Sequence, residues 1–285
     1  MHSMTKHNKG KLNRLQKTLP EGLLVDAAWL ERQGYSRSLR SQYVSAGWLE
    51  QPARGVFQRS LGSVGWEQVV VSLQTLLGHP VSVGGRTSLE LQGYAHYLSH
   101  AQKTVHLYCD GKLPSWLHKL PLEQHFISHN RLRLFPPTNV QSEGMSLETT
   151  SLDEGIYLEH GLRILPWGQW NWPLVVSTPE RACLELLDEL PREETFHMAD
   201  VLMEGLANLS PRRLQILLET VQSIKVKRLF FFFAQRHGHK WLRHIDKGKI
   251  DLGHGKRVLV SGGKLDSTLL ITVPKEFAME EDDDL

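Results

Sequence analysis

The sequence predicts an α+β protein in which an N-terminal winged helix-turn-helix is followed by a larger mixed α/β domain. The chain has 285 residues, and a domain usually takes about 100–200 of them, so two domains are expected. The first sixty residues show helix signals separated by glycine turns and end in a hairpin pattern. From residue 61 the composition shifts, and helix and strand signals are mixed. We therefore predict domains at 1–61 and 62–285, with a disordered acidic tail over 278–285.

Three short helices are predicted before the hairpin. Leu12, Leu15 and Leu19 fall on one side of the first helix, because helical neighbours recur every three or four residues. Asp26 is expected to cap the second helix and Ser36 the third. Short polar side chains suit this position because they accept hydrogen bonds from the first unpaired amides of a helix.

A hairpin is expected to follow the third helix, with strands at 48–50 and 55–57. This order is typical of a winged helix-turn-helix, whose last helix enters the major groove of DNA. Arginine can bond a guanine edge at two points, and glutamine can do the same with adenine. A residue at the hairpin tip would reach a phosphate or the minor groove. The candidate DNA-binding residues are Arg37, Ser38, Arg40, Ser41 and Gln42 on the helix and Arg54 at the tip.

Charge is distributed unevenly along a chain whose formal total is only +2. Residues 1–60 carry ten basic and four acidic side chains, 141–206 carry three and thirteen, and 207–264 carry thirteen and three. Asymmetry of this kind is typical of a nucleic-acid-binding part joined to something else. Backbone neutralisation is expected from four lysines and arginines of the first helix, Lys9, Lys11, Arg14 and Lys17.

Simpler interpretations of the same charges stay open. The acidic block and the second basic block could neutralise each other within one domain. The arginines of the first sixty residues could be ordinary solvated side chains. Winged helices also serve as protein-binding modules, so the pattern alone does not require DNA.

Local signals place further elements in the second domain. Proline at the first helical position predicts helices that start at Ser177–Glu180 and at Ser210-Pro211. The segment Thr87–Glu90 has the pattern of a capping box that opens a helix. The polar stretch 136–144 is predicted to be a surface loop. The other predicted elements are helices at 66–77 and 225–236 and strands at 104–108, 125–128, 131–135, 257–260 and 268–273.

Signals for catalysis and for metal binding are weak. The histidine pair closest in sequence, His237 and His239, is followed by His244, without the four ligands that a zinc site needs. Gly255-Lys256 and Gly263-Lys264 lack the upstream glycine and the following Ser or Thr of a P-loop. We therefore predict no metal, no cofactor and no catalytic residue, and we do not expect an enzyme.

Two further patterns have an ordinary structural explanation. Gly84-Gly85-Arg86 precedes a helix, where backbone amides can hold an anion, but we favour a simple turn. Glu185, Asp188 and Glu189 share a helix face and are expected to be solvated rather than to form an acid–base pair.

An enzyme acting on nucleotides or nucleic acid stays an alternative, which a pocket with convergent carboxylates or a metal would favour. The substrate-binding surface of such an enzyme, or a surface that binds the toxin or its RNA target, would be basic. Its candidate residues are Lys225, Lys227, Arg228, Lys256, Arg257 and Lys264.

The composition excludes several other classes of protein. With 40% hydrophobic and 22% charged residues, the chain is globular rather than disordered. No apolar run approaches the roughly 18 residues that span a bilayer, and the polar N-terminus lacks the apolar core of a signal peptide. Cys109 and Cys183 form neither a CxxC pair nor a disulfide framework. We expect a cytoplasmic, soluble protein with no membrane partner.

The order and spacing of several motifs resemble the AbiEi antitoxin family from about residue 12 to residue 277. The N-terminal motifs are Leu23–Leu30, Ser36-Arg37, Gly47-Trp48-Leu49 and Ala53–Phe57. The C-terminal motifs are Gly85–Gly93, Ser177–Ala182, Ile224–Phe230, Gly255-Lys256-Arg257 and Gly262–Leu265.

AbiEi proteins are antitoxins of type IV toxin–antitoxin systems, which act in abortive infection, a bacterial defence against phage. The resemblance implies that the N-terminal domain binds inverted repeats in double-stranded promoter DNA and represses its own operon. It also implies that the C-terminal domain counteracts an AbiEii-like nucleotidyltransferase toxin without forming a stable complex with it. The positions aligned with the family's DNA contacts are Arg37, Arg40, Ser41, Gln42 and Arg54. A stand-alone transcriptional regulator is the alternative.

Overall fold

Helices and short strands alternate along the chain in a computed structural model, which describes residues 6–59, 64–94, 103–137 and 145–277. The helices within these ranges are α1 (Lys6–Thr18), α2 (Ala27–Arg32), α3 (Arg37–Ser45), α4 (Trp66–Thr75), α5 (Gly85–Leu91), α6 (Glu154–His160), α7 (Pro179–Glu189), α8 (Phe196–Gly205), α9 (Pro211–Thr220) and α10 (Ile224–Arg236). The strands are β1 (Leu24–Asp26), β2 (Leu49–Ala53), β3 (Val56–Arg59), β4 (Val81–Val83), β5 (Thr104–Cys109), β6 (His125–Asn130), β7 (Leu162–Trp167), β8 (Trp172–Ser177), β9 (Arg257–Val258), β10 (Lys264–Asp266) and β11 (Ile271–Val273). The predicted α+β class is confirmed.

The first three helices accompany a three-stranded antiparallel sheet with the order β1-β3-β2. Asp26 caps α2 by accepting a hydrogen bond from the amide three residues later at 2.7 Å, and Ser36 caps α3 in the same way at 3.4 Å. Leu15 and Leu19 are buried, as the helical stripe predicted. The predicted order of three helices and a hairpin is present, with β1 as an additional strand that pairs with β3.

A mixed five-stranded sheet with the order β6-β5-β4-β8-β7 follows. Its strands β4 and β8 are parallel neighbours with one registered pair, Val83 and Val176. The buried side-chain amide of Gln74 on α4 adds hydrogen bonds between β4 and β8. Its Nε2 donates to the carbonyls of Val81 at 2.9 Å and Val175 at 3.0 Å, and its Oε1 accepts from the Val175 amide at 3.0 Å. A side chain thus satisfies backbone groups that the short strands leave unpaired.

The C-terminal segment folds around one buried arginine. It forms a small sheet with the order β10-β11-β9. The guanidinium of Arg228 on α10 donates to the carbonyls of Leu252, Gly253, Gly255 and Leu270 at distances of 2.7–3.1 Å. Arg228 is 2% exposed, so it fixes this segment and does not form part of a basic surface, contrary to the sequence-based expectation.

Two clusters of buried apolar side chains fill the described part of the molecule. The first joins the N-terminal helices and sheet to α4 and to the five-stranded sheet, with members such as Leu23, Val70 and Val105. The second joins α5, α7–α10 and the C-terminal strands. The Leu24 amide also donates to Ser72 Oγ at 3.0 Å. The domain boundary between residues 61 and 62 stays a prediction, but the first core cluster has members on both sides of it.

Helix α7 carries charged side chains into the interior. All of its residues except Asp188 are buried, including Glu180, Arg181, Glu185 and Glu189. The expectation that the helix presents solvated carboxylates is therefore wrong for Glu185 and Glu189. Both carboxylates are buried because α5, α8, α9 and α10 all pack against this helix.

The Arg181–Glu185 ion pair is fully buried and links α7 to two other elements. Arg181 Nε lies 2.7 Å from Glu185 Oε1, and Arg181 Nη1 donates to the His160 carbonyl at 2.7 Å. Glu185 Oε2 accepts from the Gly85 amide at 3.0 Å. Helix α5 begins at Gly85, so the capping box predicted from Thr87 is wrong. The carboxylate of Glu185 takes the place of that cap.

A second buried pair links α7 to α9. Glu180 Oε2 lies 2.7 Å from Arg213 Nη1, and its Oε1 accepts from the Ser210 amide at 2.8 Å. Both helices begin with proline, at Pro179 and Pro211, as predicted. The start of α9 is therefore held by a charge on α7.

Other predicted elements differ from the structure. The strand predicted at 131–135 is a short 3-10 helix, Arg131–Arg133, because the buried guanidinium of Arg131 turns inward to the carboxylate of Asp110. The sequence analysis did not predict α6, α8, β4, β7 and β8. Part of the predicted loop, 138–144, and the acidic tail, 278–285, lie outside the described residues. Within the part of the chain that the structure describes, every helix is too short or too polar to serve as a membrane span.

We expect Glu185→Leu to lower the free energy of unfolding by about 3–5 kcal/mol, because it leaves the buried guanidinium of Arg181 without its counter-charge. Urea denaturation followed by circular dichroism measures this. The matched control is Glu219→Leu, which removes an exposed carboxylate on α9 and should change stability by about 0.5 kcal/mol or less. Equal stabilities of the two variants would contradict the role given to the ion pair.

Candidate nucleic-acid interface

Helix α3 presents a polar face outward. Leu39 and Tyr43 are buried and hold its inner side against the first core cluster. The Oγ atoms of Ser36 and Ser38 lie 3.2 Å apart at the start of the helix. The candidate residues that are exposed on this helix are Arg37, Ser38, Ser41 and Gln42.

The β2–β3 hairpin brings its tip beside this face. Gly55, at the tip, has a φ of +80°, and its carbonyl accepts from the Ala27 amide at 2.8 Å. That bond ties the tip to the start of α2. Arg37 and Ser41 of α3 and Arg54 of the hairpin line one recess of about 460 Å³. The structure thus brings part of the predicted helix set together with the hairpin arginine, while Ser38 and Gln42 are exposed outside the lining of this recess.

Arg40 is the exception among the predicted DNA-binding residues. It is 8% exposed, and its Nη1 donates to the carbonyls of Tyr35 at 2.9 Å and Ala27 at 3.2 Å. The expectation that it lies on or near the exposed side of α3 is wrong, because these two carbonyls hold its guanidinium inside. Arg40 borders the recess and fixes α3 against the start of α2.

Basic side chains of α1 brace the turn between α2 and α3. Lys11 Nζ donates to the Gly34 carbonyl at 3.0 Å, and Arg14 Nη2 donates to Gln33 Oε1 at 3.3 Å. Lys17 is exposed. The side chain of Lys9 lies outside the described residues. Two of the predicted phosphate contacts thus also support the turn that leads into α3.

The predicted C-terminal basic surface divides into two groups. Lys225 Nζ lies 3.3 Å from Asp188 Oδ1 and donates to the Leu190 carbonyl at 3.0 Å, at the end of α7. Lys227 is buried, which lowers its pKa, and Arg228 is buried as described above. For these two residues the expectation of a surface position is wrong. The exposed members are Lys256, Arg257 and Lys264.

A buried polar cluster was not predicted from the sequence. Tyr108 on β5 and His129 on β6 are partners in the parallel register, and the Tyr108 hydroxyl donates to Glu189 Oε1 of α7. His106 Nδ1 lies 3.0 Å from His129 Nε2 and 3.3 Å from Glu189 Oε2. His129 Nε2 lies 3.7 Å from Glu189 Oε1. We call His106, Tyr108, His129 and Glu189 the His–Glu cluster.

The environment shifts the pKa values of this cluster in different directions. Burial lowers the pKa of His106, but the hydrogen bond and charge of Glu189 and the charge of Glu194 outweigh burial and raise it overall. Burial outweighs the charge of Glu189 at His129 and lowers its pKa. Burial and the charge of Glu189 raise the pKa of Tyr108 well above its ordinary value. The phenol therefore stays protonated and donates a hydrogen bond to Glu189.

Two residues of this cluster, His106 and Tyr108, could be recognised from the pattern of β5. In β5 the apolar residues Val105 and Leu107 alternate with His106 and Tyr108, and all four are buried. Two polar residues at period two in a buried strand indicate a polar contact on one face of the sheet. Glu189 belongs to a helix distant in sequence, so local pattern cannot place it there.

A cleft of about 890 Å³ borders the His–Glu cluster. His106 lines it, together with the carboxylates of Glu90, Glu193 and Glu194. Such a pocket could not be predicted from the sequence. Arg86 and Lys103 also line the cleft, and Arg86 pairs with Glu90 at 2.6 Å and approaches Glu194 at 3.7 Å.

Two protein-family matches cover most of the chain. Residues 8–100 match "Transcriptional regulator, AbiEi antitoxin N-terminal domain". Residues 102–274 match "Transcriptional regulator, AbiEi antitoxin, Type IV TA system". No curated protein matches the chain.

A solved structure resembles this fold over nearly its whole length. It is the crystal structure of the RV2827C protein from Mycobacterium tuberculosis, with a TM-score of 0.52 and 13% sequence identity. The similarity covers 95% of this chain and 92% of that chain. At this identity the likeness concerns the fold alone.

We expect Arg40→Met to lower the free energy of unfolding by about 2 kcal/mol, because two carbonyls lose a charged donor. Chemical denaturation measures the change. Arg37→Met, which removes an exposed arginine from the same helix, is the control and should cost about 0.5 kcal/mol or less. If Arg40→Met is as stable as the control, the guanidinium does not hold α3 in place.

Proposed function

The chain belongs to the AbiEi family of type IV antitoxins and transcriptional regulators, and on that premise we propose that it represses its own operon by binding an inverted repeat in the promoter. The observation that carries this proposal is the recess shared by Arg37, Ser41 and Arg54. A helix end and a hairpin tip that converge in this way suit one groove and its neighbouring phosphates.

The residues around the recess would contact different parts of the DNA. Arg37 lies in the first turn of α3, and the N-terminal residues of a recognition helix contact base edges. Ser41 and Gln42 follow on the exposed face and can bond bases or phosphates. Arg54 would contact a phosphate or the minor groove. The excess of ten basic over four acidic side chains in residues 1–60 supports affinity that is independent of sequence.

An inverted repeat implies two copies of the reading helix. Two half-sites related by a two-fold axis place two recognition helices about 34 Å apart, or a multiple of it, along one side of the duplex. We therefore propose that the protein binds its operator as a pair of copies, each using its own α3 and hairpin.

Arg37→Ala should weaken binding to a promoter fragment of the operon by roughly 5- to 150-fold, with a much smaller effect on unrelated DNA, because a base contact is lost. Arg54→Ala should weaken binding to both DNAs and reduce the salt slope by about one. Electrophoretic mobility shifts at several salt concentrations measure both effects.

The control for these variants is Arg243→Ala, which removes an exposed arginine outside the N-terminal segment and should leave promoter affinity unchanged. Substitutions are preferable to deletion of residues 1–60, since a deletion would uncover the first core cluster. Promoter affinity of Arg37→Ala and Arg54→Ala equal to that of the unsubstituted protein would contradict the proposed interface.

We further propose that the C-terminal part counteracts an AbiEii-like nucleotidyltransferase toxin without a stable complex. The family description as an antitoxin of a type IV system supports this role. Within the described residues, Lys256, Arg257 and Lys264 are exposed basic side chains of the small C-terminal sheet and the turn before it. Arg257 pairs with Ile271 and Lys264 with Val273, so their strands lie on opposite sides of β11. We assign these three residues to the contact with a partner or its substrate.

The variant Lys256→Glu/Arg257→Glu/Lys264→Glu should lose the rescue of growth when it is co-expressed with the toxin of its operon. It should still bind the promoter, because the recess is unchanged. Arg37→Ala/Arg54→Ala should behave in the opposite way, with rescue retained and repression lost. Colony counts and a promoter reporter measure the two activities in the same cells.

Three outcomes would count against this assignment. Full rescue by the triple variant would show that Lys256, Arg257 and Lys264 are not used. Co-elution of antitoxin and toxin in size-exclusion chromatography would contradict action without a stable complex. Promoter binding with no rescue by the unsubstituted protein would favour a stand-alone regulator.

A further inference from the structure

We propose that His106, His129 and Glu189 bind a divalent transition-metal ion of the zinc type. Two imidazoles and one carboxylate are a ligand set that such ions accept. The three ligand atoms of this set lie within 4.8 Å of one another. His106 Nδ1 lies 3.0 Å from His129 Nε2 and 3.3 Å from Glu189 Oε2. These two distances are slightly shorter than the edge of about 3.4 Å that ligands make around tetrahedral zinc with bonds of about 2.1 Å, so small side-chain shifts would admit the ion.

The ligands are placed by rigid elements rather than by loops. His106 and His129 lie on the adjacent strands β5 and β6, and Glu189 is the last residue of α7. The side chains of His106 and Glu189 are 3% and 1% exposed, and that of His129 is 19% exposed. Elements that are fixed by core packing can hold ligands at the spacing a metal needs.

One oxygen of Glu189 lacks a well-formed hydrogen bond. Its Oε1 accepts from the Tyr108 hydroxyl. Its Oε2 is buried without a hydrogen bond of good geometry among the described residues, although His106 Nδ1 lies 3.3 Å away. A buried carboxylate oxygen in this state is costly unless a cation or donor meets it. A metal ion bound between Oε2 and the two imidazoles would satisfy it.

A carboxylate lies on the far side of His106, as it commonly does behind metal-bound histidines, although beyond hydrogen-bond distance. A metal-ligating imidazole commonly directs its other nitrogen at a carboxylate, which fixes the ring and strengthens the ligand. His106 Nε2 lies 3.8 Å from Glu194 Oε1, while its Nδ1 faces His129 and Glu189. Arg86 also approaches Glu194, at 3.7 Å. The acidic segment 141–206 thus supplies both the ligand Glu189 and the carboxylate behind His106.

One coordination position would stay open. Three protein ligands leave the fourth position of a tetrahedral ion for water or another small group. His106 lines the cleft of about 890 Å³, and His129 is partly exposed, so solvent can reach the ion. The competing arrangement is a metal-free network, in which one imidazole donates to the other and Glu189 accepts from its neighbours.

Cobalt(II) distinguishes the two arrangements, because its visible d–d absorption reports tetrahedral coordination by protein ligands. The full chain without an affinity tag is treated with a chelator and titrated with Co²⁺, and Zn²⁺ is then added. We expect a visible band that saturates at one equivalent and disappears with Zn²⁺, and a higher melting temperature with either metal.

His129→Asn and Glu189→Gln should each weaken Co²⁺ binding by at least about 100-fold, since even loss of an outer partner costs about 10- to 100-fold. His129 is the more exposed ligand, and Glu189→Gln keeps the size of the side chain, so the two substitutions perturb folding differently. His125→Asn is the matched control, because His125 is exposed and lines the same cleft outside the cluster. It should bind Co²⁺ as the unsubstituted protein does.

The proposal is overturned if the unsubstituted protein shows neither the visible band nor a metal-dependent melting temperature. It is also overturned if His129→Asn and Glu189→Gln bind Co²⁺ as tightly as His125→Asn. Either result would leave the His–Glu cluster as a hydrogen-bonded network without metal.

Discussion

The charges buried on α7 determine how the second part of the chain is arranged. A charge inside a protein costs several kcal/mol unless it meets a well-placed partner, so each one selects a specific neighbour. Arg181 and Glu185 meet each other and the start of α5, and Glu180 meets the start of α9. Glu189 meets the strands β5 and β6. Charge pairing therefore specifies the positions of these elements around α7, while apolar packing fills the space between them.

Cations in this chain serve two distinct purposes. Arg40, Arg181 and Arg228 point inward, where each donates to one or more backbone carbonyls of another segment. Arg37 and Arg54 point outward around one recess. The formal net charge of +2 does not show which cations are buried and which are exposed. Some of the basic side chains of the C-terminal part, such as Arg228, are buried and stabilise the fold. Counting charges in sequence windows therefore overestimates the basic surface.

Local signals in the sequence were sufficient for some elements and not for others. Asp26 and Ser36 were recognised as caps because a cap needs only an amide three residues later. Thr87 was mistaken for a cap because its hydroxyl is used elsewhere, as the acceptor of the His106 amide on β5. The burial of Glu189 and the convergence of the His–Glu cluster depend on contacts between segments far apart in the chain. Local patterns were therefore enough to indicate the family, whereas the buried charge pairs of α7 follow only from the fold.

The first core cluster has a consequence for how such chains diverge. The N-terminal segment and the five-stranded sheet share one apolar interior, with Leu23, Val70 and Val105 among its members. An N-terminal segment taken from a relative would bring other side-chain volumes into that interior, and each mismatched methylene costs about 1 kcal/mol. Substitutions on the exposed face of α3 leave this interior unchanged, whereas exchange of the whole N-terminal segment would disturb it.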